Sequence, residues 1–161
     1  LQHIEKSVSE GNKTIVFSQF IKHLNLFRDF LNQRQIGYEV LTGQTSQNDR
    51  QKNINQFKRN DDVKLFLMTL KAGGVGLNLT EADYVFIIDP WWNPATEKQA
   101  INRTHRIGQD KKIFSYKFIS KETIEEKIMI LQQKKSDLFN SIINSTTFGK
   151  LSEEELMTLF E

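Results

Sequence analysis

Val63-Lys-Leu-Phe-Leu-Met-Thr69 is apolar almost from end to end and too short for a core helix. A run of this kind is covered on both faces, as strands of a parallel sheet are. Parallel neighbours need long crossover connections, usually helices, and that requirement governs how the rest of the chain is read. Four other short runs match it: Thr14-Ile-Val-Phe-Ser18, Gly37–Leu41, Tyr84–Ile88 and Ile113–Ile119, the last with Phe114, Tyr116 and Phe118 on one alternation face. Between them, Phe20–Gln33 is apolar at helical spacing, and Ser46 to Asp49 reads as a capping box opening a helix that carries Ile54 and Phe57. Asn93 and Pro94 are the cap and first residue of a further helix, expected to run to Arg106 and to stop at Gly108. Ile4–Glu10 reads as a helix tail closed by Gly11-Asn12, and Thr123 to Glu126 as the box opening a long helix to Asn144. Strands alternating with helices predict an α/β fold of three layers, α/β/α, with a mostly parallel sheet and right-handed crossovers. Ligands of such sheets sit beyond the carboxyl ends of the strands, so Ser18, Thr69 and Asp89 should share one functional edge.

Charge narrows the partner. The net charge is only +2, but Glu97 to Lys121 holds seven Lys or Arg against two acids, whereas Ser152 to Glu161 carries four Glu and no base. A concentrated basic stretch is the usual footprint of a polyanion site, and a solvated face is the plainer alternative. With no cysteine, disulfides and thiolate metal sites are excluded, and His3, His23 and His105 have no metal-ligand spacing. No apolar run approaches membrane-spanning length, so no membrane partner is expected. The chain opens at Leu1 inside an amphipathic pattern, which reads as a piece of something longer.

Three stretches carry the chemistry. Arg103 and Arg106, three residues apart, suit a polyphosphate or carboxylate, although a solvated basic helix end would look the same. In Lys71-Ala-Gly-Gly-Val-Gly-Leu77, the glycines Gly73, Gly74 and Gly76 permit close approach to an anion, or simply a tight turn. The segment is no Walker loop, and no acidic pair follows a strand to hold magnesium. Trp91-Trp92 places two indoles before a helix, where one can pack and the other stack on nucleic acid.

Taken in order, Lys71-Ala-Gly-Gly-Val-Gly-Leu-Asn-Leu-Thr80, Asp89-Pro-Trp-Trp-Asn-Pro-Ala-Thr-Glu97 and Arg103-Thr-His-Arg-Ile-Gly-Gln109 resemble the SWI/SNF-type helicase-like ATPases, superfamily-two motors, in a bacterial-looking variant. The resemblance is to the second, C-terminal RecA-like (P-loop NTPase-like) lobe. It implies a lobe over residues 1–121, followed over 122–161 by a bracing helix and a short acidic helix. It implies an ATP-dependent double-stranded-DNA translocase in which Arg103 and Arg106 act as arginine fingers, with Gly74, Gly76 and Gln99 also near the nucleotide. Mg would be held by an N-terminal lobe of the same parent chain, and this chain alone would be inactive. Ser18, Gln19, Thr42, Gly43, Thr69, Lys71, Gly73, Gly74 and Trp92 are the implied DNA contacts, with Trp91 left to packing or an interlobe contact. The family pattern has Asp before the first arginine and Ala after it, where this chain has Asn102 and Thr104. The implied partners are duplex DNA, the upstream lobe and a DNA-bound protein; the implied place is a bacterial cytoplasm, or the nucleus in a eukaryote. A nucleic-acid-binding α/β module without turnover is the alternative. A Rossmann-like enzyme is disfavoured, because Ser18-Gln-Phe20 has no glycine fingerprint.

Overall fold

β1 (Thr14–Ser18) lies at the centre of a five-stranded sheet, and all five of its residues are buried. The computed structural model describes residues 2–73, 77–102, 104 and 112–144. The other strands are β2 (Gly37–Leu41), β3 (Val63–Thr69), β4 (Tyr84–Ile87) and β5 (Phe114–Lys117), in the order β2-β3-β1-β4-β5. All four neighbouring pairs run parallel. β5 is shorter than its sequence suggests, because its one neighbour, β4, offers four residues to pair with.

The alternation of the buried strands sorts the helices into two layers. Ile15, Phe17, Phe66, Met68, Val85 and Ile87 point to one face, where they meet Ile54 and Phe57 of α3 (Gln47–Arg59), Leu70 and Ala72 of α4 (Leu70–Gly73) and Ala100 of α5 (Pro94–Ile101). Val16, Leu65, Leu67 and Phe86 point to the other, against Ile4 of α1 (Gln2–Ser9) and Leu24 and Leu31 of α2 (Ile21–Gln33). The result is the three-layer α/β/α arrangement, followed by α6 (Ile124–Asn144).

Helix ends follow local chemistry. α1 closes in a Schellman motif, with Asn12 N–H on Ser7 O at 3.1 Å, Gly11 N–H on Val8 O at 2.9 Å, and Gly11 at φ +83°. The box at Ser46 is only half formed: Ser46 Oγ accepts the Asp49 N–H, but the Asp49 carboxylate accepts the Ser46 hydroxyl rather than its N–H. At α6, Thr123 Oγ1 accepts the Glu125 N–H while Glu126 reaches back to the Glu122 N–H. α5 ends at Ile101, short of the expected Arg106. There both the N–H and the hydroxyl of Thr104 close on Ile101 O, a local side-chain bond that competes with helix continuation. The expected stop at Gly108 and the acidic helix from Ser152 lie outside the described residues.

Two long-range contacts lock β1 and β2 in place. The Lys13 ammonium donates to Phe57 O, Asn60 O and Val63 O at 2.6–2.9 Å, capping the end of α3 from the start of β1. Burial pushes this amine below the ordinary lysine value, and the charge of Lys64 adds to the shift. At the start of β2 a Cβ on Gly37 would stand 2.2 Å from Asp62 O, so only glycine fits. Gly37→Ala is therefore expected to cost roughly 1–3 kcal/mol as β2 shifts off β3. A urea midpoint equivalent to less than about 0.5 kcal/mol of loss would show that β2 slides freely there.

Candidate nucleic-acid interface

The carboxyl ends of β1, β3 and β4 meet at one edge, because parallel register brings Ser18 beside Thr69 and Asp89 follows β4. Asp89 is 2% exposed and is the hub of this edge. Its carboxylate accepts the Ser18 hydroxyl at 2.8 Å and the Gln19 N–H at 2.5 Å, and His23 Nδ1 lies 3.0 Å away. Ser18 is fully buried, so its side chain is not available to a phosphate. What it and Asp89 do is hold Gln19, whose amide also donates to Pro90 O.

Above this hub lies a cleft of about 500 Å³, lined among others by Gln19, Gly43, Thr69, Lys71 and Trp91. No carboxylate is among its described lining residues. Gly43 is exposed, with open space where a Cβ would be, on a turn braced by its neighbours: Thr42 N–H donates to Thr45 Oγ1, and Thr42 Oγ1 accepts the Gln44 N–H. Thr42 itself is nearly buried. Lys71 and Gly73 belong to the helical turn α4 rather than to an open glycine loop, since Leu70-Lys71-Ala72 starts the turn before the glycines begin. Lys71 is exposed, with Nζ 5.9 Å from the centre of the Trp91 ring.

The two indoles divide. Trp91 is partly buried against the core cluster of α3, α4 and α5, whereas Trp92 is 52% exposed, with Lys135 Nζ 5.4 Å from its ring centre. The loop turns into α5 through Asn93, whose Oδ1 accepts the Ala95 N–H at 3.0 Å, with Pro94 at the first helical position.

Residues 1–108 match the helicase conserved C-terminal domain. The chain belongs to that family. The helicase C-terminal lobe is 39% identical over 160 residues to the DNA repair protein RAD5A of Arabidopsis thaliana, covering 99% of this chain and 16% of that protein. It is 40% identical over 154 residues to the DNA repair protein rad8 of Schizosaccharomyces pombe, covering 95% and 14%. An ATP-dependent helicase of Mycoplasma pneumoniae is 39% identical over 163 residues, covering 100% of this chain and 16% of its own length. The lobe thus spans about a sixth of these relatives, of which the Rad5/Rad8 proteins are SWI/SNF-type helicases. Among solved structures, the C-terminal part of the Fun30 ATPase domain superposes with a TM-score of 0.76 at 33% identity, covering 88% of this chain and 51% of that one. The RecA-like fold expected for the lobe is the one found.

Within the lobe, the candidate DNA contacts Gln19, Gly43, Thr69 and Lys71 gather on one cleft. Gln99 stands apart, exposed on α5 beside a shallow hollow of about 320 Å³ with Ala95, Lys98 and Asn102. Arg103, Arg106, Gly74 and Gly76 lie outside the described residues. Sequence reasoning missed a buried polar cluster behind the Trp pair. Glu97, 3% exposed, accepts the Trp91 N–H at 2.6 Å and pairs with Lys117 of β5, while Gln132 of α6 donates to Trp91 O and to Glu97. The available signals were a lysine inside an aromatic strand and a glutamine among the apolar positions of α6.

Proposed function

We propose that this lobe is the second half of the motor of an ATP-dependent double-stranded-DNA translocase of SWI/SNF type. The strand-end cleft and Trp92 form the DNA edge. Arg103 and Arg106 serve the nucleotide, ATP with its Mg held by an upstream lobe of the same parent chain. Residues 1–121 are the lobe proper, and 122–161 brace it. A DNA-bound protein is what such a motor acts upon, so it works where the DNA is, in a bacterial cytoplasm or a nucleus. The observation that carries this reading is the gathering of Gln19, Gly43, Thr69 and Lys71, distant in sequence, on one cleft that has no carboxylate among its described lining residues. The exposed Lys71 ammonium suits a phosphate and the open Gly43 backbone allows close approach, while the apolar lining of Phe20, Ile21, Leu70 and Trp91 carries no base readout, as a translocase indifferent to sequence requires.

The test is duplex binding by the 161-residue chain followed by anisotropy across a salt series. Affinity is expected to fall as salt rises, because cationic contacts to phosphates release counterions. Trp92→Ala should weaken binding by roughly 1–3 kcal/mol without changing the salt slope, since an indole releases none. Salt-independent binding, or a Trp92→Ala chain that binds as wild type does, would place the DNA elsewhere.

A further inference from the structure

Among its described residues, α6 buries a polar side chain more deeply than any apolar one. Ile124, Ile130 and Leu131 are 67%, 57% and 52% exposed, while its most buried described position is a glutamine, Gln132, at 6%. A polar side chain tolerates such burial only when its hydrogen bonds are met, and the partners of Gln132 are specific. Its Nε2 donates to the Trp91 carbonyl and, at 3.2 Å, to Glu97 Oε1; its Oε1 accepts from Lys117 Nζ at 3.0 Å. Lys117 also pairs with Glu97, and Glu97 takes the Trp91 N–H. Both backbone polar groups of Trp91 are therefore held by this cluster, one through Gln132 itself. One turn along the same face of α6, Lys135 stands over Trp92. Trp92 sits between the clamped Trp91 and the cap Asn93 on a loop with no secondary structure of its own.

We propose that Glu97, Lys117 and Gln132 form a positioning clamp through which α6 sets the pose of Trp92. Seating or displacing α6 would then be read at the indole. In the translocase reading, which supplies Trp92 with its DNA, the clamp makes α6 a control on DNA contact. The clamp makes and breaks no covalent bond. Its members are positioning residues that act through the Trp91 backbone.

The experiment has two arms. In the 161-residue chain, Trp91→Phe leaves Trp92 as the sole indole and keeps the Trp91 backbone bonds. Gln132→Met in that background removes the polar bonds at similar volume. Collisional quenching of Trp92 by acrylamide is expected to rise up to about two-fold, since the ring is 52% exposed when held, with the far-UV spectrum unchanged. Gln132→Glu, isosteric and without the amide donor, is the second variant and should raise quenching likewise, so a misfolded methionine variant does not stall the test. Unchanged quenching in a folded variant overturns the clamp, whatever the DNA data show.

The second arm is a double-mutant cycle on duplex affinity with Gln132→Met and Trp92→Ala. Gln132→Met alone should weaken binding roughly ten-fold, and add nothing once Trp92 is gone, because both changes remove one contact. Full additivity overturns action through Trp92. If Trp92→Ala is itself silent on DNA while quenching responds to Gln132, the clamp stands and the assignment of the DNA edge fails.

Discussion

Arg103→Ala or Arg106→Ala, each made in the complete two-lobe motor, is expected to lower DNA-saturated ATP turnover by about 10³-fold or more. The proposal assigns both guanidiniums to charge that develops on the transferring phosphoryl group, so nucleotide affinity should change far less than kcat. Their place in the chain supports a division of labour. α5 starts beside Trp92 and the proposed DNA edge and runs through eight residues, about 12 Å, before the segment carrying both arginines begins. Arg106→Lys should not restore turnover, because an ammonium lacks the planar fork. The measurement is kcat with DNA at saturation, alongside the Kd of nucleotide and of DNA. Mutants that lose DNA affinity but turn over normally once saturated would move the arginines into the DNA site and end the finger assignment.

The first three strands in the chain were legible residue for residue, since β1, β2 and β3 occupy the spans read for them from the sequence. β3 shows why: burial on both faces leaves a run broken only by Lys64, and its length and β-branched and aromatic content favour a strand over a helix segment. The pattern fades toward β5, where Phe114 and Tyr116 are 50% and 46% exposed although the residues look like core. Phe20 illustrates a smaller slip: read as the start of a helix, it is the N-cap of α2, extended at φ −109° and ψ 121° with no side-chain cap. In the glycine-rich stretch, Leu70 to Ala72 had helix propensity enough to form α4, but one turn is too short for periodicity to reveal.

The candidate edge was legible for a topological reason. Parallel strands put Ser18, Thr69 and Asp89 at one end of the sheet, and that is where they lie. The hydrogen bonds that organise it were not legible. Asp89 meets His23 and Ser18 across 66 and 71 residues, and Glu97 meets Gln132 across 35. Such pairs have no local period, and each polar partner taken singly looks like a surface residue.

Asp89→Ala is expected to cost about 2–4 kcal/mol, because it strips an acceptor from three groups at once and leaves a buried carboxylate site apolar. The Ser18 hydroxyl can turn to Phe20 O, 3.1 Å away, so its share of the loss is partly recovered. The Gln19 N–H has no second acceptor among the described residues, and it sits at the mouth of β1 where the chain must turn into α2. His23 is half exposed and can be solvated, so His23→Ala should cost under about 1 kcal/mol. Asp89→Asn should fall between the two, since it keeps one acceptor oxygen but presents an NH₂ group to donors on the other side. Urea denaturation of the 161-residue chain reads these differences as a midpoint roughly 1–2 M lower for Asp89→Ala, with m unchanged. A midpoint within about 0.3 M of wild type would mean that water replaces the carboxylate at no cost. The edge would then be organised by β1–β3 pairing alone, through Ser18 beside Thr69, and Asp89 would lose its place as hub.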